Sequence, residues 1–473
     1  METSTTIASP LELAQSVCST LQSNGYQALL AGGSVRDVLL KRSPIDFDVA
    51  TDALPDQVIA LFPESLAVGA QFGVVQVWHG EFKVEVATFR ADGDYSDGRR
   101  PDQVIYTKSP EEDVRRRDFT INGLLMQPES DKVLDFIGGE ADLRAGLIRA
   151  IGDPDRRFAE DKLRLIRAVR FAARFGFAIE AATLAAIQRH ASEIALVSAE
   201  RLRDELTKIL TEGAARRGFE LLDETGLLPF VLPEIAAMKG VEQPPQYHPE
   251  GDVWTHTLLM IEQLPAGTPA TLAWGVLLHD VGKPPTFRPI SETGDRIRFD
   301  GHAGVGERMG EAICRRFRFS NEDTEQIVAL IANHMRFKDV DRMRAATLKR
   351  FVRMPRFDEH LELHRLDCTS SHRHLKAYNF IQTMLAETPH EAIHPPKLLT
   401  GEDLLAMGYR QGPVFGQILA TVEDAQLEGK IETKEDAEQF VRSKFKPKGP
   451  ARSEEEAGTA DSQDKGVRGV GHS

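Results

Sequence analysis

Short apolar runs rich in β-branched residues, separated by polar turns, occupy the chain up to about Ala150. Alternation of apolar and polar positions is typical of strands with one buried face. The pattern predicts four strands, over Tyr26–Ala31, Phe47–Thr51, Val74–Trp78 and Phe82–Phe89. Helix-like segments lie between these runs, so residues 1–150 are expected to form a domain that mixes strands and helices.

Beyond residue 150 the pattern is helical, and the amino-acid composition changes from one segment to the next. Residues 151–234 are rich in Ala, Leu and Arg, residues 235–390 hold most of the histidines, and residues 391–445 form a shorter helical piece. Residues 446–473 are rich in Gly, Ser and charge and have almost no large apolar side chains, which predicts a disordered tail. The sequence therefore predicts an α+β region followed by all-α regions.

Composition narrows the class of protein. A chain of 473 residues exceeds one ordinary core, and 41% hydrophobic with 27% charged residues is typical of a globular protein. No apolar run approaches the roughly 18 residues that a membrane span needs, and Met1–Pro10 has no features of a secretory signal. The three cysteines, Cys18, Cys314 and Cys368, are far apart, so we expect neither a disulfide framework nor a zinc ribbon. Few cysteines without a disulfide pattern predict a cytoplasmic location.

The charge is unevenly distributed. The whole chain carries a net charge of −14, but Arg144–Arg217 contains fifteen Lys or Arg and ten Asp or Glu. Binding of phosphates depends on local potential, so this segment could contact a nucleic acid. An ordinary helical surface with solvated arginines is the competing interpretation.

Two motifs in the first region suggest phosphate and metal chemistry. Gly32–Asp37 places a Gly-Gly turn between an apolar run and a helix start, where backbone N–H groups can bind an anion. Asp46 and Asp48 alternate on a predicted strand, so both carboxylates can reach one site and bind Mg²⁺. Glu85 lies in another apolar run and is a third candidate ligand, although it could simply be an outward-facing residue on a half-exposed strand.

These motifs resemble the polymerase-β-like nucleotidyltransferases, and more narrowly the bacterial tRNA CCA-adding and poly(A) polymerase family. Three further segments resemble that family: Tyr95–Pro101 its flexible loop, Arg115–Asn122 its RRDFT-x-N motif, and Glu160–Arg164 its EDxxR motif. The resemblance extends over residues from about 26 to 230. It implies a catalytic head with a mixed sheet, and a triad of Asp46, Asp48 and Glu85 that binds two Mg²⁺ ions.

The same segments supply candidate contacts for substrates. Candidates for nucleotide binding are Gly33, Arg36, Arg117, Asp118, Asn122, Asp161, Arg164, Arg167 and Arg170. Candidates for tRNA binding are Arg99, Arg100 and Arg174. Arg167, Arg170 and Arg174 recur at helical spacing, which predicts a basic stripe facing tRNA phosphates or, alternatively, a solvated helix face.

Asp161 and Arg164 are expected to read the base. A spacing of three residues places them on one face of a predicted helix. A carboxylate only accepts hydrogen bonds and a guanidinium only donates them, so the pair matches the edges of cytosine and adenine. Uracil and guanine would face the acid with a carbonyl oxygen, costing roughly 1–3 kcal/mol for each unpaired group. A surface ion pair is the competing interpretation.

A second constellation lies in the histidine-rich region. The doublet His279-Asp280 follows the apolar run Leu272–Leu278, and the other candidates are His256, His302, His334 and Asp367. This order resembles the HD metal-dependent phosphohydrolases. Mixed imidazole and carboxylate ligands suit Mn²⁺, Ni²⁺, Co²⁺ or Fe²⁺, and a bridged pair of ions could activate water against a phosphoester. An HD fold kept only as a scaffold is the alternative.

The sequence thus favours an enzyme that adds C and A to the tRNA 3′ end from CTP and ATP, followed along the chain by an HD hydrolase. An A-adding enzyme, a poly(A) polymerase, an HD phosphohydrolase with a vestigial transferase domain and an RNA-binding protein are the alternatives. Val68–Val74 lacks the basic pair that poly(A) polymerases usually carry there, which disfavours that branch. No sequence feature indicates the oligomeric state.

Overall fold

The structure is a computed structural model, and it describes residues 7–44, 46–69, 73–91 and 104–445. Ten strands lie in the N-terminal region and one in the region after it: β1 (Ala28–Ala31), β2 (Asp48–Thr51), β3 (Ser65–Gly69), β4 (Val74–His79), β5 (Phe82–Thr88), β6 (Arg90–Ala91), β7 (Ile105–Tyr106), β8 (Leu125–Met126), β9 (Val133–Leu134), β10 (Leu147–Ile148) and β11 (Ala178–Ile179). The four strands predicted from sequence are all present; half of their ends coincide with the prediction and the other half differ by one or two residues.

The main sheet has the order β3-β4-β5-β2-β1-β8-β9. Its neighbours are antiparallel except β2 and β5, which are parallel, so the sheet is mixed. Five helices accompany it: α1 (Pro10–Ser23), α2 (Gly33–Leu39), α3 (Pro55–Leu61), α4 (Pro110–Arg115) and α5 (Gly139–Ala145). Helix α1 begins where Ser9 Oγ accepts a hydrogen bond from the Glu12 N–H at 3.2 Å. The predicted α+β class is confirmed.

The region after the sheet is helical. Its helices are α6 (Pro154–Glu160), α7 (Leu163–Phe175), α8 (Ala181–His190), α9 (Ala199–Thr211), α10 (Ala215–Glu224), α11 (Leu228–Val231) and α12 (Pro233–Ala236). Helix α7 packs against α9 and α10, and ten of its residues are buried. This packing fixes the arginines of α7 close to the acidic residues of α9.

The histidine-rich region and the segment after it are also helical. Their helices are α13 (Val253–Glu262), α14 (Ala270–Leu278), α15 (Lys283–Thr286), α16 (Ile290–Thr293), α17 (His302–Arg316), α18 (Asn321–Asn333), α19 (Ala345–Val352), α20 (Phe357–Ser370), α21 (Lys376–Glu387), α22 (His390–Ile393), α23 (Gly401–Ala406), α24 (Pro413–Leu427) and α25 (Lys434–Lys444). Helix α14 is buried along almost its whole length and packs against α13 and α18.

Contacts divide the chain into two compact units. The first comprises residues 1–337 and 358–378, and a hydrophobic core extends within it from Leu13 to Leu366. The second comprises residues 338–357 and those from 379 onwards, with its own core around Leu404, Ile418 and Val441. The boundaries expected at residues 150, 234, 390 and 445 stay predictions. No helix in the described ranges is long and apolar enough to cross a membrane.

Candidate functional sites

The three predicted acids of the N-terminal region come together beside the main sheet. Asp48 begins β2, and its register partner on the parallel strand β5 is Glu85. Register partners on neighbouring strands project from the same face, so the two carboxylates lie side by side. Asp46 lies two residues before Asp48, close enough for its charge to act on the Asp48 carboxyl. The predicted grouping is therefore present.

This cluster concentrates negative charge. Burial and the neighbouring charge of Glu85 raise the pKa of the Asp48 carboxyl to about 6, against an opposing effect of Arg117 and with a smaller contribution from Asp46. Glu85 Oε1 accepts a hydrogen bond from Gln76 Nε2 at 3.1 Å. Carboxylate oxygens held together in this way are the ligands that Mg²⁺ prefers, so the residues present fit a divalent cation.

Glycine is required at the turn between β1 and α2. Gly32 has a φ of +69°, and a Cβ there would lie 3.0 Å from Arg117 Nη1 and 3.9 Å from Asp48 Oδ2. Only glycine adopts this conformation readily and leaves the space between the arginine and the acid open. The Gly32 N–H donates to Leu124 O at 3.0 Å, so an anion site at this turn stays a prediction that depends on the amides from Gly33 onwards. Gly33 begins α2.

Arg36 and Asn122 belong to a buried polar network. Arg36 Nη1 donates to Asn122 Oδ1 at 2.5 Å, and Asn122 Nδ2 donates to Asp118 Oδ1 at 3.0 Å. Asp118 Oδ2 in turn accepts from Arg167 Nη2 at 2.6 Å. Because the four side chains come from α2, from the RRDFT-x-N segment and from α7, the network joins the sheet region to the helical region.

Arg117 is positioned by a residue that the sequence analysis did not single out. Asp113 is buried, and its Oδ2 accepts from Arg117 Nη2 at 2.9 Å while its Oδ1 accepts from Arg116 Nη2 at 2.6 Å. Burial opposes ionisation of Asp113, but the charges of Arg117 and Arg116 keep its pKa below the usual range. One carboxylate therefore orients two arginines, and the first lies beside the acid cluster.

Asp161 and Arg164 do not lie on one helix as predicted. Helix α6 ends at Glu160, Asp161 is extended with φ −146° and ψ 106°, and α7 begins at Leu163. Asp161 Oδ1 accepts from the Leu163 N–H at 3.0 Å, a contact that stabilises the start of α7. The prediction of an i,i+3 pair on one face is wrong, because Asp161 occupies the break between two helices.

Each of these two residues has a separate partner. Asp161 Oδ2 accepts from Arg201 Nη2 of α9 at 2.8 Å. Arg164 Nη1 donates to Glu160 Oε2 at 2.8 Å, and its Nη2 donates to Arg116 O at 3.1 Å. Glu160 and Arg201 therefore fix the side chains that sequence reasoning assigned to base selection.

The predicted basic stripe is not an open surface. Arg170 is only 6% exposed, and its Nε lies 2.7 Å from Glu205 Oε2. Arg174 Nη1 lies 3.4 Å from Glu212 Oε1, and Arg167 is held by Asp118. Asp118, Glu205 and Glu212 neutralise much of the stripe, so the expectation of three arginines directed at phosphates is wrong for the buried Arg170. The loop arginines Arg99 and Arg100 lie outside the described residues.

The six residues of the second constellation converge on one site. His256 lies on α13, His279 and Asp280 follow α14, His302 begins α17, His334 follows α18, and Asp367 lies on α20. Two sets of ligand atoms, His256 with His279 and Asp280, and Asp280 with His302 and His334, each lie within 4.8 Å of one another. His256 Nε2 is 3.2 Å from Asp367 Oδ1. Asp280 is common to both sets.

Hydrogen bonds fix the tautomers of the histidines. The Nδ1 atoms each contact the carbonyl oxygen three residues earlier: His279 to Val276 O at 2.8 Å, His302 to Phe299 O at 2.9 Å and His334 to Ile331 O at 2.7 Å. Because a carbonyl only accepts, each Nδ1 carries the proton and each Nε2 presents a lone pair. The Nε2 atoms of His302 and His334 are 3.2 Å apart, a repulsive arrangement unless a cation lies between them. The donor set fits a metal ion.

The doublet depends on close backbone packing. A Cβ at Gly282 would lie 2.1 Å from His302 O and 2.6 Å from Gly306 N, so only glycine lets α17 approach the His279-Asp280 segment. Lys283 is buried, and its Nζ lies 2.7 Å from Asp280 Oδ2. Burial lowers the pKa of His334 to about 4, which keeps its ring neutral and able to bind a metal.

Sequence reasoning missed several residues that support these sites: Asp113, Glu160, Arg201, Glu205, Gln243, Glu250 and Lys283. Glu160 and Lys283 lie inside motifs that were recognised, so their positions were a usable signal. Three of the others contact partners about 40 positions away in the sequence: Arg201 contacts Asp161, Glu205 contacts Arg170, and Gln243 contacts Lys283. A local sequence pattern does not reveal such pairs.

Comparison with family models divides the chain into three matched segments. Residues 28–149 match the poly A polymerase head domain, residues 176–239 match the probable RNA- and SrmB-binding site of polymerase A, and residues 252–367 match the HD domain. The first and third segments contain the acid cluster and the histidine cluster.

Curated relatives are CCA-adding enzymes. That of Geobacillus sp. (strain WCH70) is 44% identical over 218 residues, covering 46% of this chain and 54% of the relative. That of Latilactobacillus sakei is 37% identical over 267 residues, covering 55% of this chain and 67% of the relative. The chain spans about half the length of the first curated relatives it matches.

Solved structures agree in fold. The Bacillus stearothermophilus CCA-adding enzyme in complex with CTP has a TM-score of 0.71 and 25% identity, covering 92% of this chain and 98% of that chain. The Thermotoga maritima CCA-adding enzyme complexed with tRNA has a TM-score of 0.54 at 18% identity, covering 92% of this chain and 96% of that one, and shares the fold. With the acid cluster, the RRDFT-x-N network and these likenesses together, the chain belongs to the family of CCA-adding enzymes.

Proposed function

We propose that the sheet region and the helical region after it form a template-independent tRNA nucleotidyltransferase. It adds C and A to the tRNA 3′ end from CTP and ATP and releases pyrophosphate. The placement of Asp48 opposite Glu85, with Asp46 adjacent and Arg117 beside them, carries this proposal. Membership of the CCA-adding family and the solved relative that contains CTP support it.

The acid cluster would hold the metal ions. Asp46, Asp48 and Glu85 supply the oxygen ligands, and two bound Mg²⁺ ions supply charge neutralisation for the triphosphate and activation of the 3′-hydroxyl. Arg117, oriented by Asp113, adds a fixed positive charge beside the acids. Phosphoryl transfer needs mainly positioning and electrostatic stabilisation, which these side chains provide.

Base selection would belong to Asp161 and Arg164. Each is held by a second side chain, Asp161 by Arg201 and Arg164 by Glu160, so neither is free to rotate away. Asp161 as a fixed acceptor and Arg164 as a fixed donor match the hydrogen-bonding edges of cytosine and adenine. Uracil and guanine would place a carbonyl oxygen, itself an acceptor, opposite the Asp161 carboxylate. Selection without a template follows from this pairing.

A matched pair of variants tests the transferase site. Glu85→Gln keeps the size of the side chain and removes a metal-binding charge, whereas Glu81→Gln changes an exposed residue just before β5. We expect Glu85→Gln to lower incorporation of labelled CTP and ATP by about 100-fold or more, because several kcal/mol of charge stabilisation are lost. Glu81→Gln should retain full activity. Equal activity of the two variants would refute the assignment.

We also propose that the histidine cluster is a metal-dependent phosphohydrolase site. Two ions of Mn²⁺, Ni²⁺, Co²⁺ or Fe²⁺ would be held by the six ligands, with Asp280 shared between them. The substrate class is a phosphoester such as a 2′,3′-cyclic phosphate or a 2′-phosphate. His279→Ala should abolish metal-dependent release of phosphate or opening of the cyclic ester, and the exposed His374→Ala should not. Hydrolysis that survives His279→Ala would refute this proposal.

A further inference from the structure

A carboxylate outside the six-ligand set holds the first histidine of the cluster. Glu250 lies on the connection before α13, and its side chain is 7% exposed. Its Oε1 accepts from His256 Nδ1 at 2.7 Å and from His248 Nδ1 at 2.9 Å. The rings of His248 and His256 meet edge to face, with centroids 5.0 Å apart. One oxygen therefore fixes two imidazoles.

This contact determines which nitrogen of His256 can bind a metal. A carboxylate accepts only, so Nδ1 of His256 carries a proton for Glu250, and Nε2, which faces Asp367 and His279, is the nitrogen that a metal ion would bind. His256 is fully buried, and its Nε2 has no hydrogen-bond partner among the described residues, although Asp367 Oδ1 is 3.2 Å away. A buried imidazole nitrogen that faces a carboxylate and another imidazole has the arrangement of a metal ligand.

We propose that Glu250 is a positioning residue of the histidine cluster, which orients His256 and strengthens it as a donor to a divalent transition metal. The inference rests on the proposed metal site. The contact with Glu250 distinguishes His256 from the other three histidines of the cluster, whose Nδ1 atoms contact neutral backbone carbonyls. An ionised partner polarises the ring more strongly than a carbonyl does, so Nε2 of His256 becomes the more basic ligand.

The local charge agrees with this role. Asp280, Asp367 and Glu250 are three carboxylates, and Lys283 supplies one ammonium next to Asp280. When a metal ion binds the histidines in their neutral form, these residues contribute two negative charges, which a divalent cation would balance. Glu250 therefore contributes to the charge that holds the ion as well as to the orientation of the ring.

The connection before α13 also has hydrogen bonds that do not involve the Glu250 side chain. Asp252 Oδ1 accepts from the Thr255 N–H at 2.8 Å and stabilises the start of α13, and its Oδ2 accepts from the Gly240 N–H at 2.7 Å. The Val253 N–H donates to Val241 O at 3.0 Å. Substitution of Glu250 should therefore leave the backbone in place, which makes variants at this position informative.

The test uses the full chain with Co²⁺ alone as probe. Glu250→Gln, Glu250→Ala and the control Glu242→Gln, an exposed residue eight positions earlier, are titrated by calorimetry and followed by the visible absorption of bound Co²⁺. We expect Glu250→Ala to bind Co²⁺ about 10- to 100-fold more weakly with a shifted absorption spectrum, and Glu250→Gln to be intermediate because its amide oxygen still accepts one hydrogen bond. The melting temperature of metal-free Glu250→Gln, which still accepts a hydrogen bond, should stay close to that of wild type.

Two results would overturn the inference: Co²⁺ affinity and spectrum of Glu250→Ala equal to those of wild type, or a wild-type protein that binds no Co²⁺. Failure of the proposed hydrolase looks different. In that case wild type binds Co²⁺ and Glu250→Ala binds it more weakly, but neither protein hydrolyses a phosphoester.

Discussion

At the residue scale, the acid cluster controls the response to pH. The pKa of Asp48 is raised to about 6 from its ordinary value of 3.8, so folding favours the protonated form. The metal-free protein gains this stability below pH 4 and loses it as the pH rises towards and through 6. Mg²⁺ should reverse the trend, because it binds the ionised carboxylates.

We therefore expect the increase in melting temperature caused by Mg²⁺ to be larger at pH 7.5 than at pH 5. Asp48→Asn cannot ionise, so it should show a smaller increase that varies less between the two pH values. Thermal unfolding with and without Mg²⁺ measures both. An increase that is the same at the two pH values in wild type would show that Asp48 does not bind the ion.

Arg201 allows a prediction about specificity. Its guanidinium holds Asp161 at 2.8 Å, and loss of a hydrogen bond to a charged group costs about 1.5–3 kcal/mol. Arg201→Ala should raise KM for CTP and ATP by about tenfold or more and relax discrimination against UTP. Arg203→Ala, two residues along α9 and bound to Asp204, is the control. Unchanged discrimination in Arg201→Ala would show that Asp161 needs no support.

At the element scale, the sequence predicted strands better than the break between α6 and α7. Local patterns sufficed for four strands: burial largely alternates along β4 and β5, and β1 and β2 are short apolar runs buried at nearly every position. The segment from Pro154 to Phe175 has a continuous helical pattern, yet Asp161 is extended. Its contact with Arg201, 40 residues away, helps to hold this conformation, and no local pattern contains that information.

The arginine stripe on α7 shows the same limit. Spacing alone placed Arg167, Arg170 and Arg174 on one face, and they do share partners there. Whether that face is open depends on Glu205 of α9 and Glu212 just after it, which the packing of α9 on α7 brings opposite the arginines. Sequence predicted the stripe, whereas its neutralisation follows from tertiary packing.

The close approach of α17 to the His279-Asp280 segment allows a prediction about the stability of glycine variants. A Cβ at Gly282 meets backbone atoms at 2.1 and 2.6 Å, whereas one at Gly304, on α17, meets nothing within 4 Å. Gly282→Ala should destabilise the protein by about 1–3 kcal/mol or more and weaken metal binding. Gly304→Ala should be neutral or stabilising by up to about 1 kcal/mol. Equal urea-unfolding midpoints for the two variants would contradict this packing.

At the scale of the whole molecule, two sets of candidate metal ligands lie on different elements of the first unit. The acid cluster is built on β2 and β5, and the histidine cluster on α13, α14, α17, α18 and α20. The order of motifs along the chain predicted both sets, because each set of residues came from a recognisable motif. The supporting residues Asp113 and Glu250 became visible only from the contacts they make.

The two activities should be separable. Asp48→Asn should lose nucleotide addition and keep phosphoester hydrolysis, and His279→Ala should show the opposite pattern. Parallel assays of both reactions on both purified variants measure this. Loss of both activities in either variant would indicate that the sites depend on each other.

Sequencing of tRNA 3′ ends tests the central claim most directly. Transcripts that end before C, after C or after CC are incubated with CTP alone, ATP alone or both, with Mg²⁺ and either wild type or Glu85→Gln. The account predicts completed CCA ends from all three transcripts when wild type receives both nucleotides, no A added before CC, and no products with Glu85→Gln. A addition to the CC transcript alone, long A tails, or products unaffected by Glu85→Gln would contradict it.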